Sequence, residues 1–307
     1  MVFLRIVRYL LNYPQKVCCL GEVALPSPPV LLRCADKTID LSHPVVMGVL
    51  NVTPDSFSDG GRFASVEAAV AAGLRMAAEG AALIDVGGES TRPGAQALSA
   101  ADELRRVLPV IERLRAATTA VISVDTSKPE VMRAAAAVGA GFINDVRALR
   151  EPGALEEAAA SGCGLCLMHM QGEPGTMQVA PHYSDVVGEV RAFLRARVAA
   201  CRHAGIDAAR LTVDPGFGFG ENLEHNLTLL RHLGALAADG PPLLVGLSRK
   251  ATVGTLTGRP PAERVYGSVA FAVLAALKGA RIVRAHDVAA TVDALKVTAA
   301  VQGADGD

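Results

Sequence analysis

The chain has 307 residues, of which 50% are hydrophobic and 20% charged, and its formal net charge is -1. That length and apolar fraction are enough for one large domain with a substantial core. The near-neutral charge, the absence of tryptophan and the 4% of aromatic residues argue against a nucleic-acid partner, and no apolar run reaches the roughly 18 residues that a membrane-spanning helix needs.

Six cysteines are spread along the chain, and a chain of this size does not need them as a disulfide framework. Cys163 and Cys166 form a C-x-x-C pair inside an apolar run without a second pair, so we interpret them as buried core thiols. We expect a cytoplasmic protein. We interpret residues 1–30 as an N-terminal extension, 31–302 as a single domain and 303–307 as a frayed tail.

Short apolar runs alternate with helical segments from Val45 onward. The predicted strands, in chain order, are 45–50, 82–86, 120–124, 141–143, 164–168, 211–213, 243–247 and 280–284. The predicted helices lie at about 65–79, 99–117, 129–138, 152–160, 184–204, 222–238, 261–278 and 291–301. Continuously apolar strands are typical of a parallel sheet covered on both faces. Eight such units predict an α/β fold, a single (β/α)8 TIM barrel. The structural alternative is a doubly wound open sheet, which the missing G-x-G-x-x-G turn after the first strand disfavours.

A polar group follows every predicted strand. These groups are Asn51, the loop at 89–92, Asp125, Asn144, His169, Asp214, residues 248–250, and Arg284 with His286. The carboxyl ends of barrel strands converge on one mouth, where such barrels carry their active sites. The sequence therefore predicts one polar site at that mouth.

Three of these residues, Asp125, Asn144 and Asp214, directly follow apolar strand residues, so they need partners if they are buried. Two carboxylates and an amide suit a flat ligand with several N–H donors, such as an aminopyrimidinone edge. The alternative is an internal salt-bridge network.

A second set is basic and follows the second, seventh and eighth strands. It consists of Arg92, Arg249, Lys250, Arg284 and His286. Barrel loops at the seventh and eighth strands often hold phosphate. Lys250 could instead bond to a ring carbonyl or nitrogen, for which an ammonium is compact enough. Arg249 could equally be a surface or structural residue.

The loop after the first strand contains hard oxygen ligands in Asn51 and Asp59. A Mg²⁺ ion held by one or two protein oxygens and completed by a diphosphate and water matches that supply.

The motifs together resemble those of one enzyme family, the dihydropteroate synthases. The matching runs are NVTPDSFSDGG at 51–61, DVGGESTRPG at 85–94, SVDTSKP at 123–129, IND at 143–145, MHMQG at 168–172, DPGFGFG at 214–220, GLSRK at 246–250 and RAHD at 284–287. They occur in order and cover the chain from about residue 35 to residue 300.

The resemblance implies a Mg²⁺-dependent, homodimeric sulfonamide target of folate synthesis. Its reaction would join 6-hydroxymethyl-7,8-dihydropterin diphosphate to 4-aminobenzoate, giving 7,8-dihydropteroate and pyrophosphate. The pterin would be held by Asp125, Asn144, Asp214 and Lys250, with Met168 against the ring. Carried over in the same way, Arg284 and His286 would hold the diphosphate, and Asn51 and Asp59 would hold the metal. Thr91 and Arg92, in the loop after the second strand, would be further substrate-binding residues. The aminobenzoate site would be bordered by Phe57, Pro93, Phe219 and Ser248. Lys250, Arg284, His286 and Asp125 would carry the catalysis.

Two alternatives remain at this point: a pterin-binding methyltransferase, which needs no diphosphate clamp, and a non-catalytic pterin-binding paralogue. One position departs from the family, since Glu221 stands where the resemblance leads us to expect lysine. It places a negative charge near the expected pterin site.

Overall fold

The computed structural model describes residues 30–52, 61–89, 98–172, 177 and 181–303, with the backbone alone at 61–65. Eight strands within this part of the chain form a closed barrel in which every neighbouring pair is parallel. They are β3 (Val45–Asn51), β4 (Leu83–Gly87), β5 (Val121–Asp125), β6 (Phe142–Asp145), β7 (Gly164–Met168), β8 (Leu211–Asp214), β9 (Leu243–Val245) and β10 (Ala280–Ala285). The prediction of a (β/α)8 barrel is confirmed, and the open-sheet alternative is wrong because β10 pairs with β3.

Helices cover the outside of the barrel. They are α1 (Gly61–Ala78), α2 (Ala100–Ala117), α3 (Pro129–Ala137), α4 (Ala154–Ser161), α5 (Val186–His203), α6 (Leu223–Arg231), α7 (Leu233–Ala237), α8 (Ala251–Thr257), α9 (Val265–Leu277) and α10 (Val288–Gly303). The starts of two helices agree with the prediction and have local causes: Ser99 accepts the Asp102 N–H at 3.1 Å, and Pro129 lies in the first turn of α3.

The helix boundaries differ from the prediction in two places. The segment predicted as one helix at 222–238 breaks at His232, whose ψ of 16° leaves the helical range. The helix α8 was not predicted as a separate element; it ends at Gly258, which has a φ of 69° and so terminates it in a left-handed turn.

An antiparallel hairpin that the sequence reading did not identify precedes the barrel. Its strands are β1 (Leu31–Cys34) and β2 (Lys37–Asp40). Leu32, Cys34 and Ile39 belong to one buried cluster with inward-facing residues of the barrel strands, including Phe142. A side chain at Gly164 would meet the Cys34 Sγ at 2.9 Å, so glycine is needed for this contact. The hairpin therefore plugs the amino-terminal end of the barrel and leaves the opposite end as the open mouth.

The C-x-x-C pair is buried, as predicted. Cys163 and Cys166 are both buried free thiols, and burial raises the pKa of each. No helix in the described ranges has the length and apolar character needed to cross a membrane.

Candidate active site

Strand register brings three of the predicted groups, Asn51, Asp125 and Asn144, to one level at the carboxyl end of the barrel. Asn51 pairs with Gly87, Gly87 with Asp125, and Asp125 with Asn144. Two strands further round, Met168 pairs with Asp214. Parallel pairing thus converts positions far apart in sequence into neighbours around one mouth.

Asp85 is the hub of this mouth, and the sequence reading did not single it out. Its carboxylate is fully buried and accepts hydrogen bonds from Ser123 Oγ at 2.5 Å, Asn144 Nδ2 at 3.0 Å and Arg284 Nε at 2.6 Å. The available signal was an aspartate in the middle of an apolar strand, because a buried carboxylate requires partners.

Asp125 and Arg284 form the second half of the same network. Arg284 donates from Nη2 to Asp125 Oδ2 at 2.8 Å while its Nε is bound to Asp85. Burial raises the pKa of Asp125 and Arg284 opposes that effect. Burial tends to lower the pKa of Arg284, but the two carboxylates outweigh it and the pKa is raised. The salt-bridge alternative left open for Asp125 therefore holds for the free protein. It does not exclude ligand binding, because Nη1 has no hydrogen-bond partner within the described ranges.

Asp214 and Lys250 form a second group across the mouth. Asp214 Oδ1 accepts the Gly216 N–H at 2.8 Å, and burial raises the pKa of Asp214 to about 6. Lys250 Nζ donates to the Phe217 carbonyl and lies 4.5 Å from the centre of the Phe219 ring. Burial lowers the pKa of Lys250 to about 8 against the opposing charge of Asp214. An ammonium that is weakly hydrated and close to a carboxylate is well prepared to bind a polar heterocycle.

Ser248 and His286 adjoin this group at the ends of β9 and β10. Ser248 Oγ lies 3.1 Å from His286 Nδ1 and also accepts the His286 backbone N–H at 3.1 Å. Burial, and then the charge of Arg284, lower the pKa of His286 to about 4, so the imidazole is neutral near pH 7. Arg249 turns away to a bidentate ion pair with Asp287, which fits its reading as a structural residue.

Met168 provides an apolar wall. It is 4% exposed and clusters with Val146, Met170 and Met177, with the ring of Phe219 packed against them. A polar rim around one apolar surface is the usual composition of a small-molecule site.

Asn51 lies at the end of β3 and is partly exposed. A Cβ built at Gly87 would lie 3.6 Å from Asn51 Oδ1 and 3.6 Å from the Asp125 Cβ, so the two side chains flank one small gap. The described part of the chain contains no group of three His, Cys, Asp or Glu side chains that could hold a metal. The side-chain oxygens of Asn51 and Asp125 beside this gap fit a Mg²⁺ ion that takes most of its ligands from phosphate and water.

Five predicted site residues lie outside the described residues. They are Phe57, Asp59, Thr91, Arg92 and Pro93. The described residues on either side of the loop that contains Thr91, Arg92 and Pro93 are anchored by a triad that the sequence reading missed. Lys128 Nζ donates to buried Glu103 at 2.6 Å and to Glu89, whose other oxygen accepts the Leu98 N–H at 3.2 Å.

The barrel and its mouth define a class: a (β/α)8 fold with a buried polar site, including an arginine and a histidine, at the carboxyl ends of its strands. Comparisons with known proteins are more specific. The family described as "Pterin binding enzyme" matches residues 47–286. The dihydropteroate synthase of Escherichia coli K12 is 55% identical over 87% of this chain and 95% of its own length.

Two solved structures give the same result. Dihydropteroate synthase from Xanthomonas albilineans with 4-aminobenzoic acid is 59% identical, with a TM-score of 0.85 over 90% of this chain and 99% of that one. The same enzyme in complex with 7,8-dihydropteroate gives 56% identity and a TM-score of 0.82, over 89% and 98% of the two chains. The chain therefore belongs to the dihydropteroate synthase family of pterin-binding enzymes.

Proposed function

We propose that this protein condenses 6-hydroxymethyl-7,8-dihydropterin diphosphate with 4-aminobenzoate to give 7,8-dihydropteroate and pyrophosphate. The observation that carries the proposal is the mouth itself, where Asp85, Asp125, Asn144 and Arg284 form one network facing Asp214 and Lys250. The relatives with 4-aminobenzoic acid and 7,8-dihydropteroate bound share both this fold and more than half of the sequence.

The pterin ring would bind between the two groups. Asp214 has one oxygen engaged by Gly216, which leaves the other to accept from the exocyclic amine or a ring N–H. Asn144 gives its Nδ2 to Asp85, so its amide oxygen can accept a second ring N–H. Lys250 would donate to the ring carbonyl or a ring nitrogen, and Met168 would pack on the ring face.

Departure of the diphosphate is the bond-breaking step. The carbon–oxygen bond breaks as the electron-rich dihydropterin stabilises positive charge on its exocyclic methylene. Arg284 would place Nη1 against the departing diphosphate, and neutral His286 would donate a hydrogen bond without an ionisation step. Asp85 and Asp125 hold the guanidinium plane in place for this contact.

We infer that Mg²⁺ takes part, with Asn51 as a protein ligand and Asp59 as a second one. When bound, the ion would neutralise charge on the diphosphate oxygens. The support is the amide oxygen of Asn51 beside Asp125 at the mouth, where the diphosphate end of the substrate would lie.

The aromatic amine of 4-aminobenzoate then attacks the methylene carbon, and the new ammonium loses a proton to water. An arylamine is neutral near pH 7, so this step needs positioning more than a strong base. Phe219 and Ser248 would border the amine's site, together with Phe57 and Pro93 and with Thr91 and Arg92 of the second loop. Exclusion of water from the cation is the remaining requirement.

A two-substrate assay tests the proposal. Purified protein should release pyrophosphate only when both the pterin diphosphate and 4-aminobenzoate are present, and EDTA should stop the release until Mg²⁺ is restored. Pyrophosphate release without 4-aminobenzoate, or no turnover with Mg²⁺ supplied, would refute it. Methyl transfer from a methylated pterin would support the methyltransferase reading instead.

We also infer a homodimer in the cytoplasm. Large apolar side chains are exposed on the neighbouring helices α8, α9 and α10, namely Leu256, Tyr266, Leu274, Leu277, Val297 and Val301. An apolar surface of this kind suits association with a second copy. Light scattering should give the mass of two chains, and Val297→Lys should shift the equilibrium from the dimer to the monomer.

The cytoplasmic location is supported by the cysteines. The free thiols among the described cysteines suit a reducing compartment.

A further inference from the structure

A buried polar cluster behind the site connects the loops that follow β7 and β8. Its centre is Glu221, whose carboxylate has no exposed surface. Its Oε1 lies 3.4 Å from His169 Nδ1 and 3.4 Å from the Tyr183 hydroxyl. Burial and the adjacent carboxylate raise the pKa of Tyr183, so the phenol stays protonated and donates. A buried carboxylate with such partners needs an explanation, because burying a charge is costly.

The other oxygen of the same carboxylate holds the segment that contacts Lys250. Glu221 Oε2 accepts the Phe219 backbone N–H at 2.7 Å. Within the described ranges the Lys250 ammonium donates its hydrogen bond to the Phe217 carbonyl and makes its cation–π contact with the Phe219 ring. Glu221 is therefore linked through Phe219 to Lys250, a group that would bind the pterin.

The neighbouring backbone makes this connection stiff. Gln171 N–H donates to the Phe219 carbonyl at 3.1 Å, and His169 N–H donates to the Asp214 carbonyl at 2.9 Å. Gly216 has a φ of 80° and lies so close to the His169 carbonyl that any Cβ there would be 1.9 Å from it. Backbone hydrogen bonds thus join the two loops, and the Glu221 carboxylate adds side-chain contacts between them.

We propose that Glu221 is a positioning residue for pterin binding, which holds the Phe217–Gly220 segment against Lys250 by accepting hydrogen bonds from the Phe219 backbone N–H and the Tyr183 hydroxyl. This inference rests on the proposed function for the identity of the substrate. It assigns a role to a position where the resemblance leads us to expect lysine. Glu221 does not touch the substrate; it acts through Phe219 and Lys250.

Steady-state kinetics of matched variants test the role. In Glu221→Ala the KM for the pterin diphosphate should rise about tenfold, while kcat and the KM for 4-aminobenzoate stay within about threefold. Glu221→Gln keeps an oxygen for the Phe219 N–H and should raise that KM only about threefold. The control is Glu224→Gln, which removes an exposed carboxylate paired with Arg231 three residues along the same segment, and it should behave as wild type.

A second variant and a binding measurement keep the test decisive if Glu221→Ala does not fold. Tyr183→Phe removes one bond to the carboxylate and should weaken calorimetric binding of the pterin diphosphate about threefold. Unchanged pterin KM in Glu221→Gln and Tyr183→Phe would overturn the proposal. An equal loss in kcat and both KM values would overturn it as well, since that pattern indicates general damage. Wild-type protein that binds the pterin diphosphate without turnover would refute the proposed function alone; absence of pterin binding by wild type would overturn both.

Discussion

The hub at Asp85 can be tested by a single isosteric change, Asp85→Asn. The substitution keeps the size of the side chain, but it removes the charge and replaces one acceptor oxygen with an NH2 donor. In the native site the Asp85 carboxylate accepts hydrogen bonds from Ser123, Asn144 and Arg284, so each of these three neighbours presents a donor to it. The new amide must therefore face at least one donor across a fully buried contact.

The expected cost follows from the partners that remain. Removing one member of a buried ion pair costs about 3–5 kcal/mol. Arg284 keeps its bond to Asp125 at 2.8 Å, so we expect the lower end, about 3 kcal/mol. For a domain of this size that is a fall of about 6–12 °C in Tm. Because the guanidinium loses its Nε anchor, the KM for the pterin diphosphate should rise at least about tenfold.

Thermal and urea unfolding of the free protein, together with steady-state kinetics, measure both effects. The matched control is Asp36→Asn, which breaks an ion pair with Arg115 on the surface where Asp36 is 66% exposed. It should leave both Tm and KM unchanged, because exposed pairs contribute little. If Asp85→Asn unfolds at the wild-type temperature with wild-type kinetics, then the buried network does not position Arg284 and the reasoning is wrong.

Three further predictions concern the metal, the ammonium and the imidazole. Asn51→Ala should raise the Mg²⁺ concentration needed for half-maximal turnover, and an unchanged metal titration would remove Asn51 from the ligands. Lys250→Arg keeps the charge but not the compact shape, so pterin affinity by calorimetry should fall at least about tenfold; wild-type affinity would show that charge alone suffices. The pKa of His286 is about 4 in the folded protein, below the 6.5 of a free histidine, so the unfolded chain binds more protons between those values and stability rises with pH across that window. Urea unfolding of His286→Gln between pH 4 and pH 6.5 should show a shallower rise than wild type, and equal slopes would contradict the assigned pKa.

Much of the fold could be predicted because its signals are local. Apolar runs such as residues 45–50 are followed by a polar residue and then by a helix, and this order repeats along the chain. Helix ends were readable where one side chain decides them, as at Ser99 and Pro129. The break at His232 was not readable, since no proline marks it and the nearby Gly234 lies inside the following helix, α7.

The hairpin β1–β2 illustrates a limit of a different kind. Its four-residue strands carry a weak alternation that resembles many surface segments. The hairpin is stabilised by packing on the amino-terminal end of the barrel, where it covers residues such as Phe142 and Cys166. That surface exists only after the barrel closes.

The candidate site divides in the same way. Positions at strand ends, including Asp125, Asn144, Asp214 and Lys250, could be identified because strand order implies a common mouth. The sequence by itself thus determined the barrel, the family and the residue types around the mouth. Only the tertiary structure decided which groups meet: that Asp85 joins Arg284 to Asn144, and that Glu221 supports Phe219 from behind. These contacts span up to 199 positions in sequence. The physical reason is that a buried charge must be neutralised by whichever donors the closed barrel brings within 3 Å, and no local pattern records that distance.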